Sequence, residues 1–315
     1  MRHSSQAIEW PTLVLMAATY GLWALGTTAL WSVSPVLAFV ATVLAIGQHS
    51  SLMHEALHGH PFRNPHLDHA LVFPAIGLLY PYGRFRDLHL AHHQDQNLTD
   101  PYDDPESNFQ DPAVWARLSP AMRALLRFNN TMFGRVLVGT AIGAFVFYRD
   151  DLRQILAGNR RIRRDWGLHA LGVALVFLWL VAFGEMPVWA YLLAAYAGNA
   201  LVKIRTFLEH RAHDLHRART VIVEDRGPLA LLFLNNNLHV VHHCHPQVAW
   251  YDLPALYRGN RDHYLRRNDS YVYRSYAQII GRYLFRAKDP VPHPIWPVRK
   301  RLTEDADCPL TQAAE

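Results

Sequence analysis

Residues 34–58 read SPVLAFVATVLAIGQHSSLMHEALH, and this stretch decides the fold. Its first part, residues 34–53, contains no Lys, Arg, Asp or Glu. At about 1.5 Å per residue it is long enough to cross a hydrocarbon core of about 30 Å. His54 and His58 follow at once, with the i, i+4 spacing that places two side chains on one face of a helix. The stretch predicts a membrane-crossing helix that ends in a pair of imidazoles.

Three more apolar segments extend this pattern. Residues 11–31 connect to the first segment through a turn at 32–35, and a second pair of segments turns at 184–186. Neither turn contains Lys or Arg, which are enriched in cytoplasmic loops, so both turns are predicted to face away from the cytoplasm. We therefore expect an all-α integral membrane protein with four transmembrane helices in two hairpins and a cytoplasmic helical cap. The predicted crossings are residues 11–31, 34–53, 167–183 and 187–202.

Two other apolar stretches are not expected to cross. Residues 70–82 are too short and contain Pro74 and Pro81, which predicts a re-entrant or interfacial segment. Residues 131–148 contain Arg135 and precede a basic stretch at 149–164, so we predict that they lie along the membrane surface. Residues 1–288 are predicted to form one membrane domain, and the Pro-rich residues 289–315 a loosely ordered tail.

The distribution of charge favours a membrane protein and argues against nucleic acid as a partner. Charged residues make up 18% of the chain, below the roughly 25% that is usual in soluble domains. The formal net charge is +5, but no Lys or Arg occurs between Arg2 and Arg63 or between Arg164 and Lys203. These two gaps coincide with the apolar segments, as in membrane proteins. The two cysteines are too few for a disulfide framework.

The chain has 20 histidines, and eight of them form three clusters that are expected to face the cytoplasm. The second and third clusters share the pattern HxxHH, so each is expected to aim three nitrogens at a single centre. Neutral imidazoles suit transition metals such as iron. Because eight are more than one ion can bind, we predict two metal ions. The clusters are His54 and His58, then His89, His92 and His93, then His239, His242 and His243.

Two other functions are weighed against this centre. Residues 54–58 also fit the zinc-protease motif HExxH with Glu55 as general base, but a protease would leave the HxxHH clusters unexplained. A metal transporter would place charged ligands near the bilayer midplane, and the four predicted crossings contain none. The acidic run at 100–106 fits a turn-rich loop or carboxylate support for a ligating imidazole, and Asp100 could serve both.

The three clusters resemble the membrane fatty acid desaturase family, which includes related hydroxylases, alkane monooxygenases and carotenoid ketolases. The similarity covers roughly residues 10 to 285, and the sequence WYDLP at 250–254 is similar to bacterial members. The resemblance implies a ninth ligand at His210, with His213 as the less favoured choice. Thr206 stands where some members carry an Asn that holds a metal-bound water. The flanking residues that agree are Gly59, Arg86, the acidic run at 100–106, and residues 235–238.

The same resemblance implies two iron ions that use O2 and two electrons to attack an unactivated C–H bond of an acyl chain in a bent apolar tunnel. We expect introduction of a double bond, and hydroxylation or ketolation by a member of the same family is the alternative. The chain contains no His-Pro-Gly-Gly haem motif, so a separate, ferredoxin-like electron donor is expected. The distribution of charge and the positions of the clusters predict a metal site that faces the cytoplasm, and we expect the enzyme in the inner (cytoplasmic) membrane.

Overall fold

The computed structural model describes residues 8–297, and this part of the chain is mainly helical. Two short 3-10 helices lie at Asp95–Asn97 and His216–Ala218. Strands β1 (Ile222–Val223) and β2 (Val272–Tyr273) form a small parallel sheet. The α-helices are α1 (Trp10–Thr27), α2 (Ala29–Val33), α3 (Pro35–Leu57), α4 (Pro65–Leu71), α5 (Tyr82–His92), α6 (Pro112–Arg117), α7 (Pro120–Asn129), α8 (Met132–Leu156), α9 (Arg160–Ala182), α10 (Val188–Thr206), α11 (Pro228–Leu232), α12 (His239–Cys244), α13 (Leu253–Gly259), α14 (Arg261–Arg267) and α15 (Tyr276–Tyr283).

The described chain divides into two compact units. Residues 8–86 and 138–203 form one, which we call the apolar unit. Residues 87–137 and 204–297 form the other, which we call the histidine unit because it contains both HxxHH clusters.

In the apolar unit, local sequence signals set both ends of α3. The Ser34 side chain accepts a hydrogen bond from the Leu37 amide, and Pro35 occupies the first helical position, where its missing N–H costs nothing. At the other end, Gly59 adopts a φ of 94°, a left-handed conformation that glycine reaches without strain. His54 therefore lies in the last turn of α3, and His58 is the residue that follows the helix.

Small residues allow the helices of the apolar unit to approach closely. A Cβ atom at Gly26 of α1 would lie 2.5 Å from Thr42 Oγ1 of α3, and one at Gly198 of α10 would lie 2.6 Å from the Ile46 side chain. Such contacts are typical of helices that pack within membranes, where van der Waals packing drives association. The Trp23 indole N–H adds a buried hydrogen bond of 3.0 Å to the Tyr191 hydroxyl.

Residues 72–81 of the apolar unit form no helix, and side chains satisfy their carbonyl groups. Tyr191 Oη donates to Ile76 O at 2.7 Å, and Asn199 Nδ2 donates to Gly77 O at 2.9 Å. Tyr148 Oη donates to Leu79 O at 2.8 Å. Irregular backbone is tolerated at membrane depth where protein groups satisfy it. The stretch predicted to be too short to cross thus contains no continuous helix.

Within residues 8–297, three helices are long and apolar enough to cross a membrane: α3, α8 and α9. The predicted crossing 34–53 lies within α3 except for its first residue. The predicted crossing 167–183 lies within α9 except for its last residue. The other two, 11–31 and 187–202, are also mainly helical but are not among these three, since Trp, Tyr, Thr and Gly lower the hydropathy of α1, and α10 ends in polar residues. Helix α8 qualifies, although we predicted that residues 131–148 lie along the surface. The count of four crossings in two hairpins stays a prediction.

In the histidine unit, backbone hydrogen bonds join the third histidine cluster to β1. The Val223 amide donates to Asn237 O at 2.8 Å, and the Val240 amide donates to Val221 O at 3.1 Å. Val241 and Tyr264 lie fully buried in the hydrophobic core beside this sheet. These two hydrogen bonds hold the backbone shortly before and directly after His239, the first residue of α12.

The predicted tail begins within the described residues. The Gln110 amide donates to Val291 O at 2.9 Å, and the His293 amide donates back to Gln110 O at 2.8 Å. Val291 and His293 are buried. Residues 298–315, where the rest of the predicted tail falls, lie outside the described residues.

Candidate metal centre

Four histidines of the histidine unit converge on one point. His92 Nε2 lies 2.9 Å from His210 Nε2, which lies 3.2 Å from His239 Nε2. His243 also contributes a nitrogen, and the four ligand atoms lie within 4.8 Å of one another. We call His92, His210, His239 and His243 the four-histidine group.

Three other histidines of the same unit form a second convergence. His93 Nε2 lies 2.9 Å from His89 Nε2 and 3.2 Å from His242 Nε2. His89 and His242 are buried and His93 is half-buried. We call these residues the three-histidine group.

Each HxxHH cluster therefore divides between two groups, and the expectation that each aims three nitrogens at one centre is wrong. In the second cluster, His89 and His93 join one group and His92 the other; in the third, His239 and His243 share a group that excludes His242. Helix geometry gives the reason. At about 100° per residue, i and i+4 differ by about 40°, but i+3 and i+4 diverge by about 100°.

The spacing of the nitrogens suits a metal ion. Adjacent ligands at right angles around an ion, with bonds of about 2.1 Å, lie about 3 Å apart. The Nε2 separations of 2.9 and 3.2 Å match this value in both groups. Because the donors are imidazoles, they suit iron and its neighbours better than Mg²⁺ or Ca²⁺. The donor set thus fits two transition-metal ions.

The Nδ1 atoms of three of these histidines donate to oxygen acceptors. His92 Nδ1 lies 2.7 Å from Asp104 Oδ1, and His89 Nδ1 lies 2.9 Å from Glu106 Oε1. His239 Nδ1 lies 2.9 Å from Asn236 Oδ1. An acceptor at Nδ1 fixes the tautomer that leaves the Nε2 lone pair available to a metal ion. All three Nε2 atoms accordingly point into the two groups.

Asp104 also organises the loop that carries it. Its Oδ2 accepts from the Thr99 amide at 2.8 Å, and its Oδ1 accepts from the Glu106 amide at 2.9 Å. Asp100 has a different role, since its Oδ1 accepts from the amides of Tyr102 and Asp103 within the turn. The acidic run thus serves both alternatives considered for it, but through different residues.

The carboxylates create a potential that favours a cation. Burial by itself lowers the pKa of His92, but Glu106 and Asp104 more than offset this effect and raise it to about 9. Burial by itself raises the pKa of Glu106, whereas His92 and His89 lower it well below its ordinary value. Burial lowers the pKa of His210 and His239 well below the ordinary value, so both are neutral, as metal ligands must be.

His210 belongs to the four-histidine group, and the competing candidate His213 does not. His213 Nε2 instead lies 3.4 Å from a carboxylate oxygen of Asp269. The backbone places His210 by an isolated antiparallel bridge to Thr220 and by a hydrogen bond from Lys288 Nζ to His210 O. These are long-range contacts, so spacing along the chain does not indicate them.

The first cluster lies in the apolar unit. The His54 and His58 rings are 4.9 Å apart between centroids in an edge-to-face arrangement, and His54 is buried. Glu55 is buried as well, with Oε1 3.7 Å from His54 Nδ1. The i, i+4 pair therefore shares one side of α3, as predicted.

Sequence reasoning did not assign roles to Asp104, Glu106 and Asn236. The acidic run predicts carboxylate support for an imidazole, but Asp100, at an Asp-Pro turn, was the residue named for it. Asn236 lies three residues before His239, a spacing that places the two side chains on one face and that gives a usable signal.

A helical chain with apolar helices of membrane-spanning length and two histidine groups is a membrane protein with a candidate two-metal site. The model of the fatty acid desaturase family matches residues 29–275, and the chain belongs to this family. The search among curated proteins finds no match. The family and the histidine groups fit a di-iron oxidoreductase that acts on lipids. The zinc-protease alternative accounts for neither group.

Proposed function

We propose that this protein is an O2-dependent membrane desaturase that introduces a double bond into an acyl chain. The observation that carries the proposal is the pair of histidine groups within the histidine unit, each with Nε2 separations near 3 Å and with acceptors behind the Nδ1 atoms. The family match supplies the reaction class. The bacterial branch of the family is favoured by the sequence WYDLP at 250–254.

Nine histidines would hold two iron ions. One ion would take the four-histidine group, and the other would take the three-histidine group. The first cluster, His54 and His58, would supply the remaining two ligands, because the family pattern includes all three clusters. Bound iron would supply the activation of O2, which no side chain can perform.

No side chain of the protein is consumed in the overall reaction. Two hydrogens leave adjacent carbons of the acyl chain, a donor supplies two electrons, solvent supplies two protons, and O2 is reduced to two waters. The protein's own residues hold the ions, orient the acyl chain and exclude water. Asp104 and Glu106 would keep His92 and His89 oriented through each cycle, because both imidazoles donate their Nδ1 protons to these carboxylates.

The electrons would come from a separate ferredoxin-like donor. We place the protein in the inner membrane with the metal site facing the cytoplasm, which is supported by the absence of Lys and Arg from both predicted turns. A cytoplasmic site is accessible to a soluble donor.

The proposal is tested by profiling lipids and free fatty acids of cells that express the chain with its electron donors. The wild type should produce an acyl chain that lacks two hydrogens, and His92→Ala should not. His66→Ala, an exposed histidine outside every cluster, is the matched control and should behave as wild type.

Hydroxylation is distinguished by the same measurement. A product that gains one oxygen atom and keeps its saturation would assign the chain to the hydroxylating members of the family. An unchanged lipid profile in cells with active donors, from a protein that contains two irons, would refute an acyl-chain substrate.

A further inference from the structure

Helices α6 and α7 of the histidine unit carry an apolar stripe that is exposed to solvent. No residue of either helix is buried by the described part of the chain. Met122, Leu125 and Phe128 recur at intervals of three residues along α7 and expose 43%, 37% and 37% of their surfaces. Residues at this spacing lie on one side of a helix. An amphipathic helix normally buries such a side against a partner.

The opposite side of α7 is positively charged. The guanidinium carbons of Arg123 and Arg127 lie 5.8 and 5.4 Å from the ring centroid of Trp115 on α6. Arg117 adds a third positive charge, and residues 112–129 contain no Asp or Glu. The helix pair is therefore purely basic on one side and apolar on the other.

The apolar stripe continues onto a candidate membrane-spanning helix. Only Asn130 and Thr131 separate α7 from α8, which is one of the three helices able to cross a membrane. The Phe128 ring lies 6.0 Å from the Phe133 ring in the first turn of α8, and Phe133 lies 5.5 Å from Phe285. Phe133 and Phe285 expose large apolar surfaces.

We propose that α6 and α7 lie in the bilayer interface, with the apolar stripe among the acyl chains and the arginines toward anionic lipid head groups. Interfacial helices combine an apolar face with a basic one in this manner, and an aromatic residue such as Trp115 is favoured at the boundary. One feature favours lipid over a second copy of the chain: the stripe is continuous with the apolar surface at the start of α8, a candidate spanning helix.

The proposed contact reaches the ligand-supporting loop through Asp111. The Asp111 side chain accepts from the Ala113 amide at the start of α6 and from the Tyr102 hydroxyl at 2.8 Å. Tyr102 belongs to the acidic run that contains Asp104 and Glu106. Anchoring α6 at the bilayer would therefore restrain one end of that loop. The inference concerns a surface remote from the reaction and stands whether or not the substrate is an acyl chain.

The test uses the full chain in nanodiscs of phosphatidylcholine and phosphatidylglycerol, with a nitroxide spin label at Leu125→Cys. The background carries Cys308→Ser and retains the buried Cys244. O2 partitions into the bilayer, whereas a nickel chelate stays in water. We expect O2 to relax the Leu125 label more strongly than nickel does, and the reverse for the matched label at Arg127→Cys. Unchanged iron content would show that each variant is folded.

A second arm tests the role of charge. An arginine near an anionic surface changes membrane partitioning about fivefold. With Arg123→Glu and Arg127→Glu combined, the Leu125 label should move toward water in discs that contain phosphatidylglycerol and should move less in pure phosphatidylcholine. An equal shift in both discs would contradict the proposed contact with anionic head groups.

Two results would overturn the proposal as a whole. Relaxation of the Leu125 label mainly by nickel would place the stripe in water. Dipolar broadening that disappears when labelled protein is diluted with unlabelled protein would identify a second copy as the partner.

Discussion

The two HxxHH clusters have identical spacing but different electrostatic support. In α5, His89 and His92 each donate to a carboxylate, Glu106 and Asp104. In α12, His239 donates to the neutral side chain of Asn236. Both clusters contribute nitrogens to both groups, and a further buried carboxylate, Glu209, has its Oε1 3.8 Å from His239 Nδ1.

The comparison shows that the spacing of the motif sets the direction of each imidazole, whereas the surrounding residues set the electrostatic potential around it. Spacing at i, i+3 and i+4 determines that each cluster divides between two groups. The acidic run that follows α5 determines that His92 lies in a negative potential, which raises its pKa to about 9 despite burial.

The largest expected effect comes from removing adjacent ligands on α5. His92→Ala takes a nitrogen from the four-histidine group, and His93→Ala takes one from the three-histidine group. Each variant should lose all activity and should retain iron mainly in the other group, seen as complementary Mössbauer signals. His66→Ala should retain both irons. If His92→Ala and His93→Ala empty the same site, the division of the clusters is wrong.

Asp104→Asn should have the next largest effect. The substitution removes the charge behind His92 and replaces one carboxylate oxygen by an NH2 group, so either the Oδ1 contact with His92 or the Oδ2 contact with the Thr99 amide is lost. Loss of such a partner typically weakens metal binding about 10- to 100-fold. Chelator competition measures this loss, with Asp103→Asn, an exposed neighbour, as the control. Equal affinities for the two variants would exclude support by Asp104.

Glu106→Gln should weaken iron binding less than Asp104→Asn does. The Glu106 side chain is 29% exposed, whereas that of Asp104 is 2% exposed, and solvent screens the more exposed charge. The same chelator titration ranks the two variants. A larger loss for Glu106→Gln would show that its contact with His89 outweighs burial.

Asn236→Ala should have a smaller effect still, because only a neutral hydrogen bond to His239 is lost. A loss of about tenfold or less in iron affinity is expected. Asn236→Asp would give α12 a carboxylate like those behind α5 and should recover the iron affinity that Asn236→Ala loses. An iron affinity for Asn236→Asp no higher than that for Asn236→Ala would show that α12 does not tolerate the charge.

The smallest effect is expected for His213→Ala, which should leave two irons per chain and unchanged turnover. His210→Ala, three residues away, should lose iron from the four-histidine group. Measured iron content separates the two variants directly. Iron loss in His213→Ala together with retention in His210→Ala would reverse the choice of ninth ligand.

Sequence by itself determined the apolar helices and the eight clustered histidines. Apolar length and helix caps are local properties, so the crossing predicted at 34–53 lies within α3 and that at 167–183 largely within α9. Helix ends were less predictable, because polar residues extend α9 back to its cap at Asn159. The i, i+4 pairs were equally local, since the short helical backbone between the two members sets their relative direction.

Only the tertiary structure decided which nitrogens meet and what supports them. The place of His210 beside His92 and the roles of Asp104 and Asn236 depend on how distant segments pack. The conformation of residues 72–81 depends on partners more than 60 residues away, including Tyr148 and Asn199. Local spacing fixes the direction of a side chain from its helix, whereas convergence on a common point requires the fold.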